Sequence, residues 1–121
     1  AQPWCPYTNY HGYHAIDYYG VENHFGTMAD LRELVSEARK RGIKVIQDQV
    51  ANHVGVQHEW VKRPPLPNWF SPFKQNTFND SVLFSPNASP AERDILLRGW
   101  FNEFLPDLNQ DEPEVSRYLI Q

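Results

Sequence analysis

The chain contains one cysteine, Cys5, among 121 residues. An internal disulfide is therefore excluded, and the redox compartment is left open. There is no excess of basic charge: 11 Lys and Arg stand against 15 Asp and Glu, for a net charge of -4. Little is available to neutralise a phosphate backbone, which argues against nucleic acid as a partner. No apolar run approaches the ~18 residues that a membrane-spanning helix needs. The phosphate-binding patterns G-x-x-x-x-G-K and G-x-G-x-x-G are missing, as are internal repeats and low-complexity tracts. A helical H-E-x-x-H is missing too, so His11, His14, His53 and His58 do not make a zinc pattern. Cys5 has no adjacent signature of a nucleophile.

Aromatic side chains and proline are abundant instead. Phe, Tyr and Trp make up 14% of the chain, and ten residues are Pro. With 40% hydrophobic and 21% charged residues the composition is globular rather than disordered. An aromatic-rich, loop-rich, weakly acidic surface suits neutral polar ligands such as sugars. Composition alone, however, favours reading the aromatics simply as core.

Residues Ala1 to Gly26 read as loop, punctuated by Pro3, Pro6, Gly12, Gly20 and Gly26. The start has no charged and apolar regions of a signal peptide, and it does not open on Met. Thr27, with Asp30 three residues on, predicts a capped helix over 28–41, its apolar face formed by Met28, Leu31, Leu34, Val35 and Ala38. Gly42 is the expected C-terminal stop. Ile43 to Asp48 is short, β-branched and mostly apolar, as a buried strand reads. A helix running that tightly into a strand is the second half of a βαβ unit, yet no strand precedes the helix. Residues 54–88 form a Pro- and aromatic-rich irregular excursion. Ser89, Pro90 and Glu92 predict a short helix to about Arg98, stopped at Gly99. Trp100 to Leu105 reads as extended. Pro113 opens a last helix with Val115, Tyr118 and Leu119 on its apolar face, and the sequence ends inside it. The orphan strand and that uncapped helix both read as signs of a segment cut from a longer fold.

Two stretches carry candidate chemistry. In Asp48-Gln49-Val50-Ala51-Asn52-His53, Asp48 closes the expected strand and a polar pair follows. Parallel α/β folds collect functional groups where strands end. Asp, Asn and His there can hold a hard cation or a polyhydroxy ligand, or they can serve only a turn. In Leu105-Pro106-Asp107-Leu108-Asn109 the ordinary reading is a turn before the last helix. The sharper reading is a carboxylate that reaches back to Asn52.

Taken together, Tyr10-His11-Gly12-Tyr13-His14, Asp17-Tyr18-Tyr19, Phe25-Gly26-Thr27, Val45 to His53, Gly99-Trp100-Phe101 and Leu105 to Asn109 resemble the α-amylase family of glycoside hydrolases. Asn109-Gln110 and Tyr118 to Gln121 look closest to its neopullulanase and cyclomaltodextrinase branch. The resemblance implies an α/β fold: a segment of a (β/α)8 TIM barrel with an inserted, irregular domain B, incomplete as a fold. Residues 1–53 would be partial barrel (a loop, helix two and strand three), 54–110 domain B, and 111–121 the start of helix three. Such a barrel takes about 250 residues.

The resemblance also implies roles. Tyr13 matches the tyrosine that stacks on the sugar in subsite −1, His53 the histidine that hydrogen-bonds that sugar, and Asp48 the aspartate that holds the framework of the site. Asn52 and Asp107 match ligands of a structural calcium, and their oxygens suit that ion. The substrate class is starch-type glucans, maltooligosaccharides or cyclodextrins, cleaved at α-1,4 bonds with retention. Retaining enzymes need two carboxyl groups about 5–5.5 Å apart, and the family places these on later strands. These residues alone are therefore expected to be inactive. The expected partners are an α-glucan and either the remainder of the barrel or a second copy. The alternative is a non-catalytic α-glucan-binding or structural fragment. Compartment is unknown, and a starch-acting enzyme is compatible with secretion or a periplasmic site.

Overall fold

The computed structural model describes residues 11–72, 82 and 84–120. Among them are the helices α1 (Met28–Lys40), α2 (Glu59–Lys62), α3 (Pro90–Arg98) and α4 (Pro113–Ile120), and a 3-10 helix over Asn23–Phe25. Cys5 and most of the second half of the expected 54–88 excursion lie outside the described residues.

The helix ends follow local chemistry. Thr27 Oγ1 accepts the Asp30 N–H at 3.3 Å, and Asp30 Oδ2 accepts the Thr27 N–H at 2.6 Å. The Thr27 hydroxyl and N–H both donate to Asp30 Oδ2 and hold that carboxyl below its usual range. At the other end Gly42 has a φ of 72°. Its N–H reaches the Arg39 carbonyl and that of Ile43 the Ala38 carbonyl, the paired bonds of a Schellman stop. Ser89 and Glu92 cap α3 in the same reciprocal way.

Three expectations are corrected. Residues 43–48 form no strand: no described segment pairs with them, and Ile46 is 91% exposed. A strand exists through its ladder, and β-branched residues alone cannot supply one. Trp100 to Leu105 is not extended either. It folds into a tight turn in which Asn102 accepts the Leu105 N–H on its carbonyl and the Phe104 N–H on its side chain. Leu105 to Asn109 is not the turn of the ordinary reading but a central strip, and its Asp107 reaches back to Asn52 as the sharper reading expects. It bonds on one side to 52–56 (Val54 N–H to Pro106 O, 3.1 Å; Leu108 N–H to Asn52 O, 2.8 Å). On the other side it bonds to 69–71 (Ser71 N–H to Asp107 O and Asn109 N–H to Trp69 O, both 2.9 Å). The bridges His53–Asp107 and Phe70–Leu108 are antiparallel.

The core sits beneath this strip. Val54, Trp69, Leu108 and Val115 are buried, with Tyr18, Trp60, Leu66 and Tyr118 packed against them. The rings meet edge-on: Trp60 lies 5.1 Å from Trp69 and 4.7 Å from Tyr118, an arrangement that suits aromatic quadrupoles. One core thus draws on the early loop, the 54–70 stretch, the strip and α4. The α1 helix is outside it. None of its residues is buried, and Leu34 is 58% exposed. No helix among the described residues is long and apolar enough to cross a membrane.

Candidate functional site

The five residues singled out in the sequence form one continuous chain of hydrogen bonds. Tyr13 Oη donates to Asp48 Oδ2 at 3.0 Å. That bond, reinforced by the carboxylate charge, raises the Tyr13 phenol above its ordinary range. The Tyr13 carbonyl accepts from His53 Nε2 at 3.2 Å. On the other edge of the ring, Asn52 Nδ2 approaches His53 Nδ1 at 3.3 Å. Asn52 Nδ2 also donates to Asp107 Oδ2 at 2.9 Å. The Phe101 N–H closes the chain on Asp107 Oδ1 at 2.8 Å.

These partners determine proton positions. A carbonyl only accepts, so Nε2 carries the His53 proton and Nδ1 is the acceptor. A carboxylate also only accepts, so the Asn52 amide must turn its NH2 to Asp107. Burial lowers the His53 pKa, against the opposing pull of the Tyr13 carbonyl, so the imidazole is neutral near pH 7. Burial raises the Asp107 carboxyl, and its two donors oppose that shift. The His53 ring stacks on Phe101 with centroids 5.5 Å apart. Tyr13 remains 47% exposed, its ring lying 5.3 Å from that of His11. Both His53 nitrogens are engaged within the chain.

Three residues of the site carry no role in the sequence reading. Phe101 supplies both the stacking ring and the N–H on Asp107. Tyr18 places its hydroxyl 3.0 Å from the carbonyls of Val50 and of His53. Gly55 donates to the Ala15 carbonyl at 2.7 Å, and a Cβ there would lie 2.7 Å from the His14 carbonyl oxygen. Only glycine allows the 13–15 loop to approach this closely. Tyr18 and Phe101 fall within quoted stretches, but their partners are backbone atoms, which no residue pattern announces.

A cleft of about 350 Å³ lies over Asn52, His53, Trp100, Phe101 and Asp107. A larger one, of about 880 Å³, touches Asn52 and Asp107 from another side. Ser71 lines the larger cleft, and its buried Oγ has no hydrogen-bond partner among the described residues. Asn52, Asp107 and Ser71 offer hard oxygens of the kind calcium takes, but that ion needs six to eight of them. Among the described residues no group of three or more His, Cys, Asp or Glu could hold a metal. The described residues alone therefore do not fit a complete calcium site.

The family model described as alpha amylase, catalytic domain, matches residues 4–121. Alpha-amylase 3 of Dictyoglomus thermophilum is 30% identical over 120 residues, covering 93% of this chain and 23% of its own. An intracellular maltogenic amylase of Bacillus subtilis is 32% identical over 113 residues, covering 91% and 18%. The crystal structure of the Geobacillus thermoleovorans α-amylase complexed with acarbose superposes with a TM-score of 0.72 at 44% identity. It covers 98% of this chain and 24% of that one. The chain thus spans under a quarter of each of these proteins.

Proposed function

Because this chain belongs to the α-amylase family, we propose that it is part of a retaining glycoside hydrolase that cleaves α-1,4-glucosidic bonds in starch-type glucans. It would supply part of the sugar site and one wall of the cleft. The observation that carries this reading is the convergence of Tyr13, Asp48 and His53 through direct hydrogen bonds. The exposed Tyr13 ring is the stacking face for one glucose unit. Asp48 holds the phenol, and with it the ring, at one angle. His53 presents an N–H whose partner exchanges from the Tyr13 carbonyl to a sugar hydroxyl. Maltooligosaccharides or cyclodextrins are the substrates this reading assigns, from the resemblance to the neopullulanase and cyclomaltodextrinase branch; a maltogenic amylase among the relatives is in keeping with the α-glucan part of it.

In this reading residues 54–110 form domain B and residues from Pro113 begin barrel helix three. The nucleophile and general acid lie on later barrel strands, outside these 121 residues. The whole enzyme would work through a covalent glycosyl-enzyme, with water or a second sugar as acceptor. In that whole enzyme Asn52 and Asp107 would be two of the calcium ligands, the remainder coming from elsewhere.

Two measurements test this. Reducing-sugar release from starch and cyclodextrin by the chain is expected to be nil; clear turnover would overturn the assignment of the catalytic carboxylates. Isothermal titration with maltooligosaccharide is expected to give weak binding, with a Kd of about a millimolar, lost in Tyr13→Ala. Tight binding would instead favour a non-catalytic glucan-binding module. Equal binding by both chains would remove Tyr13 from the site.

A further inference from the structure

Tyr18 is the aromatic residue closest in chemistry to the site without touching its open face. Its ring belongs to the core, stacked 5.9 Å from Trp60 and edge-on 6.4 Å from Tyr118. Its hydroxyl does something the core does not require. It lies 3.0 Å from the Val50 carbonyl and 3.0 Å from the His53 carbonyl. A phenol has one proton, so the two acceptors share it as a three-centre bond. The two carbonyls bracket the bend at Asn52. One rigid group, held by packing at its other end, therefore ties that bend shut.

We propose that Tyr18 is the positioning residue of the Tyr13–Asp48–His53 site, its hydroxyl clamping the 50–53 segment so that the His53 imidazole is aimed at the Tyr13 carbonyl. Without the clamp the segment is held only from the strip side, by the Leu108 N–H on the Asn52 carbonyl and Gln110 on the Ala51 carbonyl, and its Tyr18 side loosens. His53 then loses its fixed orientation between Tyr13 and Asn52, and both imidazole tautomers become populated. The clamp explains a division of labour within Asp17-Tyr18-Tyr19. Tyr18 points inward, while its neighbour Tyr19 is 60% exposed. What the positioning serves rests on the sugar-site reading above; the positioning itself does not.

The test is Tyr18→Phe, which keeps the ring and its packing and removes only the oxygen. The readout is the tautomer of His53, taken from the 15N shifts of its ring at about pH 8, where free histidine is neutral. The wild-type chain is expected to show the Nε2–H form alone, and Y18F a mixture of the two forms. Maltooligosaccharide affinity is expected to fall about fivefold, the worth of one net hydrogen bond. His58 is the internal control, because its ring lies 6.0 Å from the Tyr18 ring but does not meet the hydroxyl. An unchanged His53 tautomer overturns the proposal. So does an equal change at His53 and His58, which is what general loosening produces. Should Y18F fail to fold, the wild-type chain still decides. A protected Tyr18 phenolic proton with cross-peaks to residues 50–53 supports the clamp, and rapid exchange with water overturns it. None of the tautomer measurements uses sugar, so a failure of the sugar-site reading leaves them standing.

Discussion

Tyr13 and Asp48 share one proton-mediated contact, so each reports on the other. Asp48→Asn weakens the hydrogen bond to, and removes the negative charge beside, the Tyr13 phenol, the two causes that raise it. Spectrophotometric titration of the variant is expected to show this tyrosine ionising at lower pH than in the wild type, closer to the ordinary phenol value of about 10. His58 makes a second prediction. Its Nδ1 accepts the Trp60 N–H at 3.1 Å and so caps α2. Burial pushes its pKa down to about 4. The folded state therefore holds a neutral ring, while the unfolded chain takes up its proton from about pH 6.5. Stability is full above that pH and declines as pH falls towards 4, a trend that Tm against pH will follow and that His58→Asn is expected to flatten. Asp107→Ala strands the Asn52 amide and the Phe101 N–H. It is expected to cost about 2 kcal/mol by chemical denaturation. The five site residues could be named from the sequence because their types and order are distinctive. Tyr18 and Gly55 could not, since one acts on carbonyl oxygens and the other through the absence of a side chain.

Elements divide along the same physical line. The α1 helix was legible because its signals are local. Thr27, Asp30 and Gly42 meet partners within a few residues, and only the final residue differed, Lys40 rather than Arg41. Thr27→Ala is expected to lower stability by about 1 kcal/mol and to reduce helical circular dichroism. The short α2 helix was missed because its cap is a histidine, a residue rarely read as one. The 43–48 stretch has strand composition, yet a strand is decided by its neighbours. The 105–109 strip failed in the opposite sense: Pro106, Asp107 and Asn109 are turn formers, and long-range pairing with 52–56 and 69–71 overrode them.

Across the whole molecule, the apolar face of α1 and the side chains of Ile43, Val45 and Ile46 stand open together with Phe25 and Met28. Open apolar surface of this kind favours association. Light scattering is expected to show concentration-dependent self-association, relieved in a Val45→Lys, Ile46→Lys double variant; a monodisperse wild-type monomer would contradict it. The strip has a consequence in time as well as in space. Asn52 and Asp107 are 55 positions apart, and Tyr13 and Asp48 are 35 apart. Contacts of such separation form only after long loops have closed, which slows folding. During synthesis Asn52 leaves the ribosome well before Asp107 does. Over that interval the nascent 48–53 segment has neither its carboxylate anchor nor the strip beside it. The core closes later still, since Tyr18 meets Tyr118 and Gln49 meets the Leu119 carbonyl across longer separations, and until the strip arrives the 48–53 segment is exposed to proteases and chaperones.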